Sequence, residues 1–414
     1  RAVELCNGVG ACRQDLSGTM CPSYMVTRDE EHSTRGRANA LRAVLSGTLP
    51  ASEFASKRLH DALDLCLECK GCKAECPSQV DMAKMKYEFL GNYYSKHRVP
   101  LRSRLFGHVA SFSRLGSATA PLSNWIMKWG FRKLGIEKLL GIDSRRPLPP
   151  FASRTFEQRF KERAKKSTVG KGQIVLFHDT FSQFNHPEVG EAVVDLLEKA
   201  GFEPTLPDKR CCGRPMISKG LLDDAIANAE YNVRALHGYV QRGIKIVGWE
   251  PSCVLTLRDE YPDLLRGEMR EWAREVASST YLIEELLVEL NEQGELGLEF
   301  EETNRTALFH GHCHQKALVG NAPSLAALRL IPGYAVEEIN TGCCGMAGSF
   351  GYEREHYDIS MAVGEQRLFP TIRNQQGRFD VVASGFSCRQ QIAQGTGVAA
   401  KTVAETLRDS LKGN

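Results

Sequence analysis

The sequence predicts a helical, cysteine-dense N-terminal domain followed by two copies of an α/β unit with parallel strands. Three observations carry that expectation. Seven of the fourteen cysteines fall within residues 1–100, among stretches of helical periodicity. From residue 173 onward, short apolar runs alternate with longer helical patterns. The tripeptide CCG occurs twice, at 211–213 and 343–345, at matching places in that alternation.

A chain of 414 residues is long enough for two or three domains. Its 42% apolar and 25% charged residues are those of a globular protein. A formal net charge of +3 gives no case for nucleic acid. No apolar run approaches the roughly 20 residues that span a bilayer, and no secretory leader opens the sequence. Beginning at Arg1 with a candidate ligand already at Cys6, the sequence reads as a fragment or a processed chain. The cysteines stand in clusters or beside Gly and Pro, with long gaps between them. In a large chain that pattern favours metal over disulfides and implies a reducing compartment. The expected location is therefore cytoplasmic, or peripheral on the cytoplasmic face of the membrane.

Residues 1–100 hold helical patterns such as "RGRANALRAVLSG" and "VDMAKMKYEFLGNYYSKH" around the cysteines. The run "CLECKGCKAECP" at 66–77 is C-x2-C-x2-C-x3-C-P. Three thiolates two residues apart wrap one loop around a cubane, and soft sulfur ligands suit iron–sulfur clusters. In ferredoxin-type pairs the fourth cysteine, followed by Pro, serves the other cluster. Zinc is the competing reading, but a zinc knuckle needs neither the third and fourth spacings nor the Pro. The partner motif "CNGVGACRQDLSGTMCPSY" supplies Cys6, Cys12 and Cys21, the last again before Pro. Its second cysteine would fall at Val9 and is missing. The crossed arrangement assigns Cys21, Cys66, Cys69 and Cys72 to one complete 4Fe–4S cluster. Cys6, Cys12 and Cys76 then lack a ligand. That set holds a three-iron cluster, a four-iron cluster with a non-cysteine ligand such as His32, or nothing. In "DEEHSTRGR", Ser33 and Thr34 are candidate helix caps, and Arg35 and Arg37 are either cations for the clusters or a solvated helix start.

Residues 101–172 contain no cysteine. The amphipathic "PLSNWIMKWGFRKLGIEKLL" precedes Pro-rich "SRRPLPPF" and basic "RFKERAKKSTVGKG", a pattern of helices followed by a linker. A basic amphipathic helix fits a membrane surface or a neighbouring domain, and the second is the preferred reading.

From 173, "QIVLFHD", "KIVGWEP", "TALFHGH" and "FDVVASG" are the strand candidates. The helical candidates are "EVGEAVVDLLEKAG", "LLDDAIANAEYNVRALHGYVQRG" and "YDISMAVGEQRLFPTIRNQQG". "LFHDTFSQ" at 176–183 aligns with "LFHGHCHQ" at 308–315. Phe181 to Cys211 and Cys313 to Cys343 are both thirty residues. Cys212 to Cys253 is forty-one and Cys344 to Cys388 forty-four. The fold class is thus an α-helical ferredoxin-like iron–sulfur domain followed by duplicated α/β CCG domains. The boundaries are 1–100, 101–172 for connector and linker, 173–300, and 301–414.

The stretch "CNGVGACRQDLSGTMCPSYMVTRDEEHSTRGRANALRAVL" closely resembles the iron–sulfur portion of FAD-linked oxidoreductases of the D-lactate and D-2-hydroxyglutarate dehydrogenase type. The order of cluster domain and two CCG units is also similar to the iron–sulfur subunit of glycolate oxidase. More distantly it resembles the catalytic subunit of heterodisulfide reductase. The resemblance implies that a 2-hydroxy acid reduces FAD on an upstream portion, or on a separate subunit. This chain, not catalytic alone, would carry the electrons to a quinone or cytochrome. The helices at 101–140, with Trp125, Ile126, Trp129 and Phe131, offer that flavin portion a docking surface. Heterodisulfide-reductase units end in C-x2-C, whereas here each keeps one terminal cysteine, which puts their double-cubane-like clusters in doubt. The second unit retains Cys313, Cys343, Cys344 and Cys388. The first retains Cys211, Cys212 and Cys253, with Phe181 in place of its leading cysteine. These sets bind iron–sulfur, zinc or nothing.

Cys343 and Cys344 are expected at a Gly turn opening a helix, where free N–H groups favour thiolates. His310, His312 and His314 around Cys313 are ligands, proton donors or hydrogen-bonded structure. No P-loop, Ser-His-Asp set or dinucleotide fingerprint appears, since "GVG" at 8–10 follows no strand. Two other functions compete with the electron-transfer module: a thiol/disulfide reductase working through its CCG unit, and a zinc-binding scaffold.

Overall fold

The computed structural model describes residues 2–15, 17–130, 135–163, 170–375 and 379–413. The N-terminal region is a set of helices folded around its own cysteines. The helix Thr34–Leu45 starts at Ser33, whose Oγ accepts from Gly36 N at 2.9 Å, so the Ser is the cap its polar setting suggests. The helix Met82–Lys96 is capped by Asp81, which accepts from Lys84 N at 3.0 Å. Its Met82, Met85, Phe89 and Leu90 pack with Leu41 and Leu63 in one cluster that also contains Cys6, Cys12, Cys21, Cys66 and Cys72. The thiols are core residues of this region, so whatever they bind is part of its packing.

Among the described residues, seven strands form two sheets, and every pairing between these strands is parallel. The first sheet contains β1 (Gln173–Leu176), β2 (Glu203–Thr205), β3 (Ile246–Gly248) and β4 (Thr280–Leu282), in the order β2-β1-β3-β4. The second contains β5 (Thr306–Phe309), β6 (Ala335–Glu338) and β7 (Asp380–Val382), in the order β6-β5-β7. In both, the first strand is central, with the next on one side and the third on the other. Val175 lies opposite Thr205 and Ile246; Leu308 lies opposite Glu337 and Val381. The expected strand runs are β1, β3, β5 and β7. The unexpected β2, β4 and β6 are all edge strands, and "EPT" and "AVEE" carry no buried face to announce them.

One continuous core joins the two α/β units. It runs from Leu176, Val193 and Val247 through Leu286 to Phe309, Leu328, Val382 and Leu407. The last expected helix is two, Tyr357–Gln366 and Leu368–Gln375, separated at Arg367 with φ −145°. Pro370 has no N–H to give to the Gln366 carbonyl and its ring crowds that group; the rest of "NQQG" beyond Gln375 lies outside the described residues.

The stretch read as a linker is a strap with buried anchors. Arg146 is buried in the second unit, donating to Gln391 Oε1 at 2.5 Å. Phe156, fully buried, packs edge-on to Trp249 with centroids 5.7 Å apart. Proline here fixes an extended course across the surface, which composition alone does not distinguish from looseness. The basic run 164–169 lies outside the described residues. Leu115, Leu122, Trp125 and Trp129 of the connector are more than half exposed; Phe131 lies outside the described residues. Among the described residues no helix is long and apolar enough to cross a membrane.

Candidate metal centres

The loop Cys66–Cys72 takes positive φ at Glu68 (51°) and Lys70 (60°), neither of them glycine. Such a backbone is strained for side-chain-bearing residues and persists only when its surroundings hold it. Here both side chains are clamped by the first α/β unit. Glu68 is paired with Arg214; Lys70 Nζ lies 2.8 Å from Asp259 and 2.5 Å from Glu260. The strained loop turns Cys66, Cys69 and Cys72 inward, all buried.

Cys21 joins them across the chain. Burial pushes the Cys69 thiol well up, and the charges of Cys313, Cys21 and Cys72 add to it. Burial also raises Cys72 and Cys66, with Cys21 contributing at both. Arg37, with no exposed surface, donates from Nη1 to Cys21 Sγ at 3.4 Å and from Nη2 to Ser23 Oγ at 2.9 Å. Met82 N donates to Cys72 Sγ at 3.4 Å. Buried cations and N–H donors aimed at sulfur are what a negatively charged thiolate centre needs. Among the described residues, the donor trios within 4.8 Å of one another are His310–Cys344–Cys388 and Glu353–Glu355–His356. A single zinc at ~2.3 Å from each sulfur would draw its thiols closer together than that limit. Among the described residues, no trio of the ferredoxin-type cysteines is that close.

Cys6 and Cys12 are buried and Cys76 is half-buried. Arg35 N donates to Cys12 Sγ at 3.3 Å, and the Arg35 side chain pairs with Glu30 at 2.7 Å. Val9, where a fourth cysteine would stand, is 62% exposed. His32 Nδ1 is engaged by Thr27 Oγ1 at 2.9 Å.

In the second unit, β5 ends at Phe309 and delivers His310, His312, Cys313 and His314 in succession. Cys343 is hydrogen-bonded to Cys313 and Cys344, and Cys388 to Cys344. Hydrogen bonds from Cys343 and Cys388 pull the Cys344 thiol well below its ordinary value; burial opposes them and His310 adds to the pull. No helix opens at this CCG, contrary to expectation. Gly345 (φ 94°), Ala347 (φ 43°) and Gly348 (φ 62°) turn the chain instead, and a Cβ on Gly345 would stand 2.3 Å from Ser360 O. His312 caps the helix Cys313–Leu318, accepting from His314 N at 3.2 Å.

In the first unit, Gly213 (φ 83°) does open a short helix, Arg214–Ser218. Cys212 Sγ and Cys253 Sγ are 3.0 Å apart. Cys253 accepts from Cys212, yet burial with Asp179 and Glu250 pushes it up to about 11. Cys211 and Cys212 are also raised, Cys211 chiefly by donating to Cys212. No thiol of this trio is pulled down as Cys344 is. Phe181 stacks on Phe386 of the second unit, 4.0 Å between centroids and 5° between planes.

The centres meet. Leu67 and Cys69 of the loop share a buried cluster with Cys313, Cys343 and Phe350 of the second unit. His314 Nε2 lies 2.9 Å from Glu68 O. A cavity of about 210 Å³ opens at this junction, walled by Cys66, Cys313, Cys343, Phe181 and Phe386 among others. A 4Fe–4S dicluster domain matches residues 2–80, and a cysteine-rich CCG domain matches residues 175–258.

The chain is 26% identical to the D-2-hydroxyglutarate dehydrogenase of Escherichia coli K12, over 100% of its own length and 44% of that protein's. It is 28% identical to one subunit of the anaerobic glycerol-3-phosphate dehydrogenase of Escherichia coli K12, over 77% of this chain and 79% of that one. Lactate utilization protein A of an Exiguobacterium strain is 28% identical over 58% of this chain and 98% of its own. The chain thus spans less than half the length of the D-2-hydroxyglutarate dehydrogenases it matches. The expectation of iron–sulfur clusters agrees with the dicluster match.

Sequence reasoning did not find the clasp of Glu68, Arg214, Asp259 and Glu260 that seats the dicluster loop on the CCG domain. The signal was faint: an acidic and a basic residue inside "CLECK", and an Arg directly after CCG.

Proposed function

We propose that this chain is the iron–sulfur electron-transfer module of an FAD-dependent D-2-hydroxyacid dehydrogenase, of the D-2-hydroxyglutarate, D-lactate or glycolate class. The single observation that carries the reading is the burial of Cys69 beside Cys313 in one cluster. It supports a direct packing contact between the dicluster loop and the second α/β unit. Cys21, Cys66, Cys69 and Cys72 hold a 4Fe–4S cluster; Cys6, Cys12 and Cys76 are the ligands of a second. Residues 301–414 repeat the CCG unit of 173–300, an inference supported by the shared strand order and the cysteine spacing. Of the two units, the second is the candidate centre, through Cys313, Cys343, Cys344 and Cys388. Cys211, Cys212 and Cys253 are the remnant of the first.

The division into 1–100, 101–172, 173–300 and 301–414 follows from this reading. The relatives' names mention D-2-hydroxyglutarate, glycerol-3-phosphate and lactate, so a common relay serves different substrates and the choice of substrate sits elsewhere. In our reading it sits on an FAD portion, upstream or separate, that docks on the exposed face of Leu115, Leu122, Trp125 and Trp129. This chain would hold the clusters that take the two electrons of reduced flavin one at a time, for delivery to an external quinone or cytochrome. When bound, the clusters supply one-electron carriage; the chain's own residues bind, bury and charge-compensate them.

The test is anaerobic. This chain alone, given D-2-hydroxyglutarate, D-lactate or glycolate, keeps its cluster absorbance; joined to its FAD portion, it bleaches with one of them. Bleaching by substrate in the chain alone would overturn the reading.

A further inference from the structure

Two buried imidazoles of the second α/β unit, His310 and His314, each leave a nitrogen without a nitrogen or oxygen partner, and the His310 ring is the one that stands against thiols, hydrogen-bonded to Cys344. His310 is fully buried, and it is Nε2 that has no nitrogen or oxygen partner. Its other nitrogen, Nδ1, lies 2.8 Å from Thr341 Oγ1. Thr341 Oγ1 in turn donates to Ile339 O at 3.4 Å, which leaves its lone pairs to accept from His310. The proton is thereby placed on Nδ1, and Nε2 presents a lone pair. That is how metal-ligating histidines are oriented, with the outer N–H held by a fixed acceptor. The donor atoms of His310, Cys344 and Cys388 all lie within 4.8 Å of one another.

The corresponding histidine of the first unit makes the contrast. His178 stands at the same place in "LFH", but it is Nε2 that is engaged, by Glu157 Oε1 at 3.2 Å, and Nδ1 that is left without a partner, the reverse of His310, and among the described residues no trio of close donors includes it. That unit also lacks the leading cysteine.

We propose that His310 Nε2 is a ligand of an iron–sulfur centre in the second unit, whose other ligands are drawn from Cys344, Cys388, Cys313 and Cys343. This rests on the reading above that the unit carries such a centre. Five donors exceed the four that a single tetrahedral ion takes. Replacing one thiolate by a neutral imidazole removes a negative charge from the centre and raises its potential, as it does where histidines ligate other iron–sulfur clusters. The centre is then the sink of the internal relay. One electron leaves the cluster bearing Cys69, which is oxidised by one; the centre at Cys313 is reduced by one. No proton need move, because Nδ1–H stays on Thr341.

The experiment uses the whole chain, reconstituted anaerobically with Fe(II) and sulfide, and reads nitrogen hyperfine coupling by pulsed electron paramagnetic resonance. A directly bound imidazole nitrogen should appear on one signal and disappear in His310→Gln. His310→Cys should retain iron, lose the nitrogen coupling and titrate at a lower midpoint. Coupling that survives in His310→Gln, a His310→Cys midpoint that is unmoved or higher, or stoichiometric zinc in place of iron would each overturn the assignment. Cys344→Ser separates this failure from that of the underlying reading. If it leaves iron and sulfide content unchanged, the second unit holds no centre at all.

Discussion

Replacing Arg214 by Met should loosen the dicluster loop without touching any cysteine. Arg214 Nη1 lies 2.5 Å from Glu260, its other arm pairs with Glu68, and all three side chains are at most 10% exposed. At 2.5 Å and an effective dielectric near 20, one such contact is worth about 7 kcal/mol before desolvation is subtracted. The net loss on breaking a buried pair is about 3–5 kcal/mol. The lower end applies, because Glu260 keeps Lys70 at 2.5 Å and Glu68 keeps Lys86 at 3.8 Å. We therefore expect a loss of about 3 kcal/mol in urea unfolding of the anaerobic protein, with faster loss of cluster absorbance. Adding Glu68→Gln should restore about 1–2 kcal/mol, since the second change removes the stranded carboxylate. The assay is a double-mutant cycle followed by circular dichroism and by cluster absorbance. A single Arg214→Met variant within about 0.5 kcal/mol of the parent, with additive effects in the cycle, would refute the clasp.

Three further outcomes follow from the same structure. Cys69→Ser should abolish onward electron transfer and lower solubility, because its thiol helps fold the loop; Cys253→Ser should be milder, and equal damage would show that the first unit holds a working centre. Arg37→Met removes the cation 3.4 Å from Cys21 Sγ and should lower the midpoint of that cluster by ~50–100 mV, at 59 mV per tenfold; an unchanged midpoint in a redox titration would count against the crossed assignment of Cys21. His356 bridges Asp64 at 2.9 Å and Glu353 at 3.0 Å; burial opposes its charge, but the two carboxylates raise it above the ordinary histidine value. A raised folded value means that the native state binds more protons, so this contribution is complete below pH ~6.5 and is lost as pH rises through the folded value. His356→Gln should flatten stability in that window, and a wild-type profile unchanged by the substitution would exclude the bridge as its source.

The legible part of this protein is the part encoded at short range. The cysteine spacing of 66–77 announces a cluster loop because three thiols lie within seven residues. The central strands β1, β3, β5 and β7 show because buried parallel strands are continuous apolar runs. Edge strands show poorly, as a half-exposed "AVEE" resembles any loop. Long-range pairing does not show at all. Glu68 and Arg214 are 146 residues apart and meet only after both domains fold. The strap at 142–163 misleads for a related reason, since Arg146 and Phe156 look solvated in sequence and are buried by partners from distant segments. The histidines illustrate a finer limit. His310, His312 and His314 are equivalent in the sequence. The fold separates them into a ring beside Cys344 and Cys388, a helix cap and a contact to the dicluster loop.

The substitution at Phe181 ties the two α/β units together. At the position where the second unit has Cys313, the first has an aromatic ring stacked flat on Phe386. Phe386 opens the helix that carries Cys388, and its N–H donates to Glu250 at 2.7 Å. A pair of stacked rings is worth about 0.5–1.5 kcal/mol beyond its buried area. On the reading proposed above, the first unit offers a wall where the second offers a ligand: Phe181 and Phe386 line the cavity beside Cys313 and Cys343. Restoring a thiol with Phe181→Cys tests this directly. If the first unit were merely an incomplete centre, the variant should gain iron. If its role is support, iron should not rise, and the midpoint and thermal stability of the second centre should fall as the stack is lost. The second outcome is expected, because His178 is already committed to Glu157 and Cys212 to Cys253, so one returned thiol does not rebuild a donor set.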